Sequence, residues 1–300
     1  MEQMTILVGY PTNRRAKAVL SLAGKLARSG GEDVVVCTVI RDPRVAGVGR
    51  DDTEFRKYAD ELAAESLARA GEDMAKDVAV QFTRIDARSI PTGLVQAAER
   101  CGANTIVVGS AMGRIENITV SSIADRLLHS SPLPVAVSTR GFRAGGGKVR
   151  RVTLACAGGE QVGGQLAAAA ALAARYGAEL RLASFAVHLS PPEALRLHLE
   201  GPEVLSQWTK DIHAVPAEAA SAGAAGPRRA PEIVIGQGED WEEALADIEW
   251  GPGDLMVIGS SDAGPISRVF LGSRAAKILR HTLVPVMALP RASADAPAVA

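Results

Sequence analysis

The residues best suited to chemistry in this chain lie between Asp254 and Arg274. An apolar run, Leu255 to Ile258, ends in Gly259-Ser260-Ser261-Asp262-Ala263-Gly264, and Gly272-Ser273-Arg274 then opens a helix-period stretch. Glycines let a backbone approach an anion closely, and the free N–H groups of a helix start, joined by the Ser273 hydroxyl, can hold phosphate. The candidate ligand-binding residues are therefore Gly259, Ser260, Gly264, Gly272, Ser273 and Arg274. Other chemistries find no carrier. No GxxxxGK[ST] loop occurs, and Gly158-Gly159 with Gly163-Gly164 lacks GxGxxG spacing. The histidines His129, His188, His198, His213 and His281 show no HExxH or paired-ligand spacing, so no metal site is expected. No Ser, Cys or Lys stands beside a base that would activate it, so no catalytic residue is named. Trp208, Trp241 and Trp250 read as packing anchors.

A loop of this kind needs a strand before it and a helix after it, and the chain supplies that arrangement twice. Asn104-Thr-Ile-Val-Val-Gly-Ser110 pairs with Asp254-Leu-Met-Val-Ile-Gly-Ser260 at an offset of 150 residues. Ser121 to Leu128 then pairs with Gly272 to Leu279, and Leu133-Pro-Val with Val284-Pro-Val, at an offset of 151. Thr5-Ile-Leu-Val-Gly9 likewise resembles Arg151-Val-Thr-Leu-Ala155. Internal repeats of this length imply a duplicated domain. Strands are predicted in the first half near 4–9, 33–40, 78–85, 104–109 and 134–138, with helices near 14–29, 51–75, 90–101 and 121–130. The second half repeats the strands near 151–156, 179–186, 232–236, 254–259 and 284–289. Its middle differs, with Pro191-Pro192, Gly201-Pro202 and an Ala/Gly/Pro-rich run from Ala217 to Pro231 that reads as a surface loop. Short apolar strands alternating with longer helical segments require a parallel sheet covered on both faces. The fold class is α/β: two doubly wound, five-stranded parallel-sheet domains in tandem. Domain 1 is placed at 1–140, a linker at 141–148, domain 2 at 149–290 and a disordered tail at 291–300.

Length and composition fit this reading. Three hundred residues with 47% hydrophobic content can fill two ordinary cores. The net charge of −1, mildly positive in the first half and mildly negative in the second, calls for neither a nucleic-acid nor a membrane partner. No stretch reaches the roughly 20 apolar residues of a membrane span, and Met1-Glu-Gln-Met-Thr5 lacks the basic opening of a signal peptide. Cys37, Cys101 and Cys156 are odd in number and lack CxxC spacing, which argues against disulfides or zinc and for a reducing cytoplasm.

On the block from the fourth to the fifth strand, the chain resembles the universal stress protein family, in both halves and over nearly its whole length. The family pattern is Gly, two residues, Gly, nine residues, then Gly-Ser. Gly259, Gly272 and Ser273 fit its span, while Asp262 stands at the second glycine. The first half departs further, with Gly109, Gly113 and Ser121-Ser122 in a loop one residue shorter. In ATP-binding members an aspartate ends the first strand; Pro11 and Ala157 stand there in this chain. The resemblance implies a flavodoxin-like, adenine-nucleotide-alpha-hydrolase-like fold and a stress-response binding or regulatory module that is not an enzyme. Its nucleotide site is degenerate, with weak ATP or ADP binding expected in the second half. The alternatives are a nucleotide-handling enzyme on the same fold (weak ATPase or adenylyl transfer) and a structural partner-binding protein with vestigial pockets. The implied partner is an unknown regulatory protein. The fifth strands, Pro134–Ser138 and Pro285–Leu289, would be open edges that pair into an intramolecular pseudo-dimer, with a further homodimer as its extension.

Overall fold

In a computed structural model of the chain, the described residues are 4–41, 53–110, 121–139, 142–144, 147–156, 162–187, 230–259 and 273–290. Two compact units emerge, Met1–Lys148 and Val149–Ala300. The expected linker at 141–148 falls partly outside the described residues. So do the tail at 291–300 and almost all of the Ala217–Pro231 run.

Unit 1 runs β1 (Thr5–Gly9), α1 (Lys17–Gly30), β2 (Asp33–Arg41), α2 (Thr53–Asp73), β3 (Val80–Ala87), α3 (Ile90–Cys101), β4 (Ala103–Gly109), α4 (Ser122–Ser130) and β5 (Val135–Ser138). Its strands are all parallel and lie in the order β3-β2-β1-β4-β5. Chain order moves outward from β1 to β3 and then jumps back across the sheet to β4. Because parallel crossovers are right-handed, the helices before and after that jump cover opposite faces. Accordingly α1 packs beside α2, and α3 beside α4. Strands covered on both faces need unbroken apolar runs, and Val34-Val35-Val36-Cys37 and Ile106-Val107-Val108 are buried throughout. The edge strand β3 is less covered, leaving Gln81, Phe82 and Asp86 exposed.

Unit 2 repeats the pattern with β6 (Arg151–Ala155), α5 (Val162–Tyr176), β7 (Glu179–Val187), β8 (Glu232–Gly238), α6 (Trp241–Ala246), β9 (Asp254–Gly259), α7 (Ser273–His281) and β10 (Val286–Leu289). Its order, β10-β9-β6-β7-β8, reverses between β6 and β9 as unit 1 does between β1 and β4. The duplication is visible in single backbone angles. Left-handed glycines end α1 at Gly31 (φ 68°) and α5 at Gly177 (φ 60°), 146 positions apart, the offset that also aligns Thr5 with Arg151. Helix α6, with 6 residues, is half the length of its counterpart α3, with 12. Trp241 packs on Phe185 with ring centroids 6.4 Å apart, and Trp250 donates its indole N–H to the Leu245 carbonyl. Trp208 lies outside the described residues.

At the N-terminal end of the unit 2 sheet the core contains charge. The Asp254 carboxylate, 3% exposed, accepts two hydrogen bonds from the Arg151 guanidinium at 2.8 Å and one from the Gly251 N–H at 2.7 Å. Arg181, fully buried, donates to Thr153 and to the Glu249 carbonyl, lies over the Trp250 ring, and faces Asp254 at 3.9 Å. Burial, and then the nearby Arg151 charge, pull its pKa down. Removing the group that neutralises such a buried set leaves uncompensated charge, which costs roughly 3–5 kcal/mol; Asp254 faces both arginines, whereas without Arg181 it keeps its two hydrogen bonds from Arg151. Asp254→Ala is therefore expected to lower the unfolding free energy by about 3 kcal/mol, and Arg181→Met by much less. Denaturant titration measures both, and an unshifted midpoint for Asp254→Ala would show that the cluster is solvated.

Candidate functional site

Where strand order reverses, the loops leaving the two flanking strands diverge to opposite faces and a crevice opens at their carboxyl ends. In unit 1 those strands are β1 and β4, ending at Gly9 and Gly109. A cavity of about 280 Å³ lies there, lined by Tyr10, Arg14, Val19, Cys37, Leu94 and Ser121 among others. That is close to the lower end of the roughly 300–1,000 Å³ range of ligand pockets. The two glycines do different jobs. A Cβ at Gly9 would sit 2.8 Å from the Leu94 side chain, so the missing side chain lets α3 pack closely. Among the described residues, a Cβ at Gly109 would meet nothing nearer than Ser138 Oγ at 3.8 Å and Val19 Cβ at 4.0 Å, so none of their side chains lies on its bare face.

The loop from Tyr10 to Ala16 forms one wall. The sequence places α1 from residue 14, but the helix starts at Lys17, because side chains of α2 hold the preceding residues in a non-helical path. Ser66 donates to the Pro11 carbonyl at 3.2 Å and Arg69 to the Thr12 carbonyl at 2.7 Å. Thr38, whose Oγ1 lies 3.1 Å from Ser66 Oγ, donates to the Tyr10 carbonyl at 3.4 Å. Arg15 and Lys17 pair with Asp73, whose side chain is almost buried at the end of α2. Arg14 crosses the crevice and donates to the Ser110 carbonyl at 3.3 Å, placing a positive charge at the rim. On the far side Ser121 caps α4, accepting from the Ala124 N–H at 3.0 Å and donating to the Gly109 carbonyl at 3.3 Å.

Two ionisable side chains line the wall besides Arg14. Burial pushes the Cys37 thiol up to about 12. Burial also raises the Tyr10 hydroxyl, opposed by the hydrogen bond it accepts from the Ala16 N–H. At neutral pH both are protonated, and Arg14 carries the charge among these lining groups.

In unit 2 the residues singled out from sequence are only partly described. Gly259 ends β9, Ser273 opens α7 as expected, and Arg274 stands exposed in its first turn. Ser260, Asp262, Gly264 and Gly272 lie outside the described residues, as does Ala157. Around Gly259 the contrast with unit 1 is sharp. A Cβ there would overlap the Gln165 side chain, whose Cγ, Cδ and Nε2 all lie against the glycine. At the 146-residue offset, Gln165 corresponds to Val19. Among the described residues, no group of three or more His, Cys, Asp or Glu could hold a metal ion, and no helix is long and apolar enough to cross a membrane.

The universal stress protein family model matches residues 4–139 and again 148–290. The chain belongs to the universal stress protein family. Curated universal stress proteins of Mycobacterium tuberculosis and Mycobacterium bovis are 32% identical over 295 residues, covering 96% of this chain and 100% of each relative. A solved universal stress protein from Archaeoglobus fulgidus matches the fold with a TM-score of 0.62 at 19% identity, covering 97% of this chain and 100% of that one. For a member of this family, the wall residues Tyr10, Arg14, Ser66 and Arg69 are what the sequence did not mark. Their only sequence signal is that polar side chains recur on α2 at helical spacing, Ser66 and Arg69 being three apart. If Arg69 holds the wall, Arg69→Ala removes a charge-assisted hydrogen bond of about 1.5 kcal/mol. Amide exchange at Ala16 and its neighbours is then expected to accelerate roughly tenfold. Exchange unchanged from the parent would show that the loop is held without Arg69.

Proposed function

We propose that this universal stress protein is a regulatory binding protein of the cytoplasm that takes an adenine nucleotide, ATP or ADP, in the crevice of unit 1 and signals to a protein partner. The observation that carries this reading is the cavity at the β1–β4 reversal, with the open face of Gly109 on one side and Arg14 at its rim. Val39, Leu94 and Val108 offer apolar walls to a base. The Arg14 guanidinium and the N-terminal turn of α4 favour phosphate charge near Gly109. Affinity is weak, because Pro11 stands where ATP-binding relatives carry the aspartate that contacts the nucleoside. The second-half residues Gly259, Ser260, Gly264, Gly272, Ser273 and Arg274 remain the corresponding site of unit 2. Unit 1 takes precedence because Gln165 lies on Gly259.

The same geometry supports binding without turnover. A nucleophile or general base must be deprotonated near neutral pH, and the thiol and phenol of this cavity are both held protonated. The free thiols of Cys37, Cys101 and Cys156 fit a reducing compartment.

Isothermal titration of the full chain with ATP and ADP tests this reading, together with mass spectrometry of nucleotide retained through native purification. Arg14→Glu reverses the rim charge on a half-exposed side chain, so the fold is retained and affinity is expected to fall on the order of tenfold or more. No binding at millimolar nucleotide would sink the proposal, and steady release of phosphate would make the protein an enzyme instead.

A further inference from the structure

The sheet of unit 1 ends at β3, the outermost strand in the order β3-β2-β1-β4-β5. Among the described residues its only strand partner is β2. The Val34 N–H donates to the Ala79 carbonyl, so the odd-numbered residues of β3 turn their backbone groups toward β2. Val80, Phe82, Arg84 and Asp86 therefore turn theirs outward, a row of donors and acceptors along an open edge. Phe82 is 41% exposed there. Helix α2 packs mainly on β2 and reaches β3 through single side chains: Arg84 pairs with Asp60, and a Cβ at Gly71 would sit 3.4 Å from the Phe82 ring. This leaves the rim of β3 uncovered by α2.

Charge on an edge strand ordinarily opposes pairing. Here the two charges are opposite in sign and two residues apart, with Arg84 donating to Asp86 at 3.0 Å. That spacing selects one register. In an antiparallel pair about a twofold axis through Ile85, Arg84 of each copy stands opposite Asp86 of the other, and the four charges alternate around a square. An axis through Arg84 sets guanidinium against guanidinium, and one through Thr83 sets Asp86 against Val80. In the Ile85 register each Arg84 and Asp86 pair also exchanges its outward backbone hydrogen bonds. The edge strand of unit 2 lacks these charges. Ser184 pairs there with Ile235 and Ala186 with Gln237, at the positions where Thr38 pairs with Arg84 and Ile40 with Asp86. The charge pattern that fixes the register is thus confined to unit 1, and a twofold contact closes after two copies.

We propose that β3 of unit 1 docks a second copy of this chain, strand against strand, with Arg84 opposite the partner's Asp86. The contact is independent of what the crevice binds. Sedimentation velocity of the full chain over a micromolar concentration series tests it, and the parent is expected to dimerise. Arg84→Glu makes both charges of the edge acidic and Asp86→Arg makes both basic, so each variant alone is expected to weaken the dimer at least tenfold. An equimolar mixture of the two variants sets acidic edge against basic edge and is expected to restore it. Circular dichroism checks both folds. Asp86 is exposed, so its reversal spares the fold and is read even if Arg84→Glu does not fold. A monomeric parent, a dimer that survives either reversal, or two folded variants that fail to pair with each other overturns the proposal.

Discussion

A parallel sheet whose strand order reverses at β1 and β4 is the constraint on which everything else in unit 1 depends. Right-handed crossovers send α1 and α2 to one face and α3 and α4 to the other, so the loops above the reversal point part and leave a gap that no secondary-structure element fills. The strands that frame the gap must be apolar on both sides, which accounts for the Ile6-Leu7-Val8 and Ile106-Val107-Val108 runs. Once both faces are covered, polar chemistry can enter only at the strand ends. Gly9, Gly109 and the Ser121 cap of α4 lie there for that reason.

An open gap is useful only if its walls keep their shape. The Tyr10–Ala16 segment joins the ladders at its ends, where the Tyr10 N–H donates to the Cys37 carbonyl and the Ala16 carbonyl accepts from the Val19 N–H, and three successive carbonyls, those of Tyr10, Pro11 and Thr12, take donors from Thr38, Ser66 and Arg69. Two of these donors come from α2, which is remote from the loop in sequence and touches it only through the fold. The arrangement satisfies backbone groups that would otherwise be left unpaired beside a cavity. Arg14 and Arg15 diverge from this loop, one toward Ser110 at the crevice and the other toward Glu72 and Asp73. One neighbouring pair of arginines thus reaches both the crevice and the α2 carboxylates that anchor the loop.

The two units show how the same backbone can diverge in chemistry. At the carboxyl ends of the strands Gln165 lies against Gly259, whereas the aligned Val19 stops 4.0 Å from the position of a Gly109 Cβ. At the amino ends the change is larger. Asn104 and Glu32 in unit 1 make a neutral-to-charged contact at 3.4 Å, while unit 2 has Asp254 between Arg151 and Arg181 under the Trp250 ring. A buried charged set of this kind specifies geometry more than it adds stability, because desolvation offsets most of the attraction.

The sequence by itself determined the duplication, the α/β class and the strand positions, because those are written in local patterns. Apolar runs such as Val34–Cys37 and Leu255–Ile258 show their double coverage directly, and the Gly-Ser pair at Gly272-Ser273 marks a helix start. It also determined that neither unit ends its first strand in a carboxylate. Which glycine faces open space was decided only in three dimensions, since Gly9, Gly109 and Gly259 all end strands and look alike in one dimension. Leu94 lies against Gly9 and Gln165 against Gly259, whereas no described side chain comes nearer than 3.8 Å to the position of a Gly109 Cβ. The neighbours responsible lie on helices tens of residues away in the chain, and a side chain's reach across a crevice depends on the packing of those helices. Sequence spacing between the loop residues carries no record of that packing.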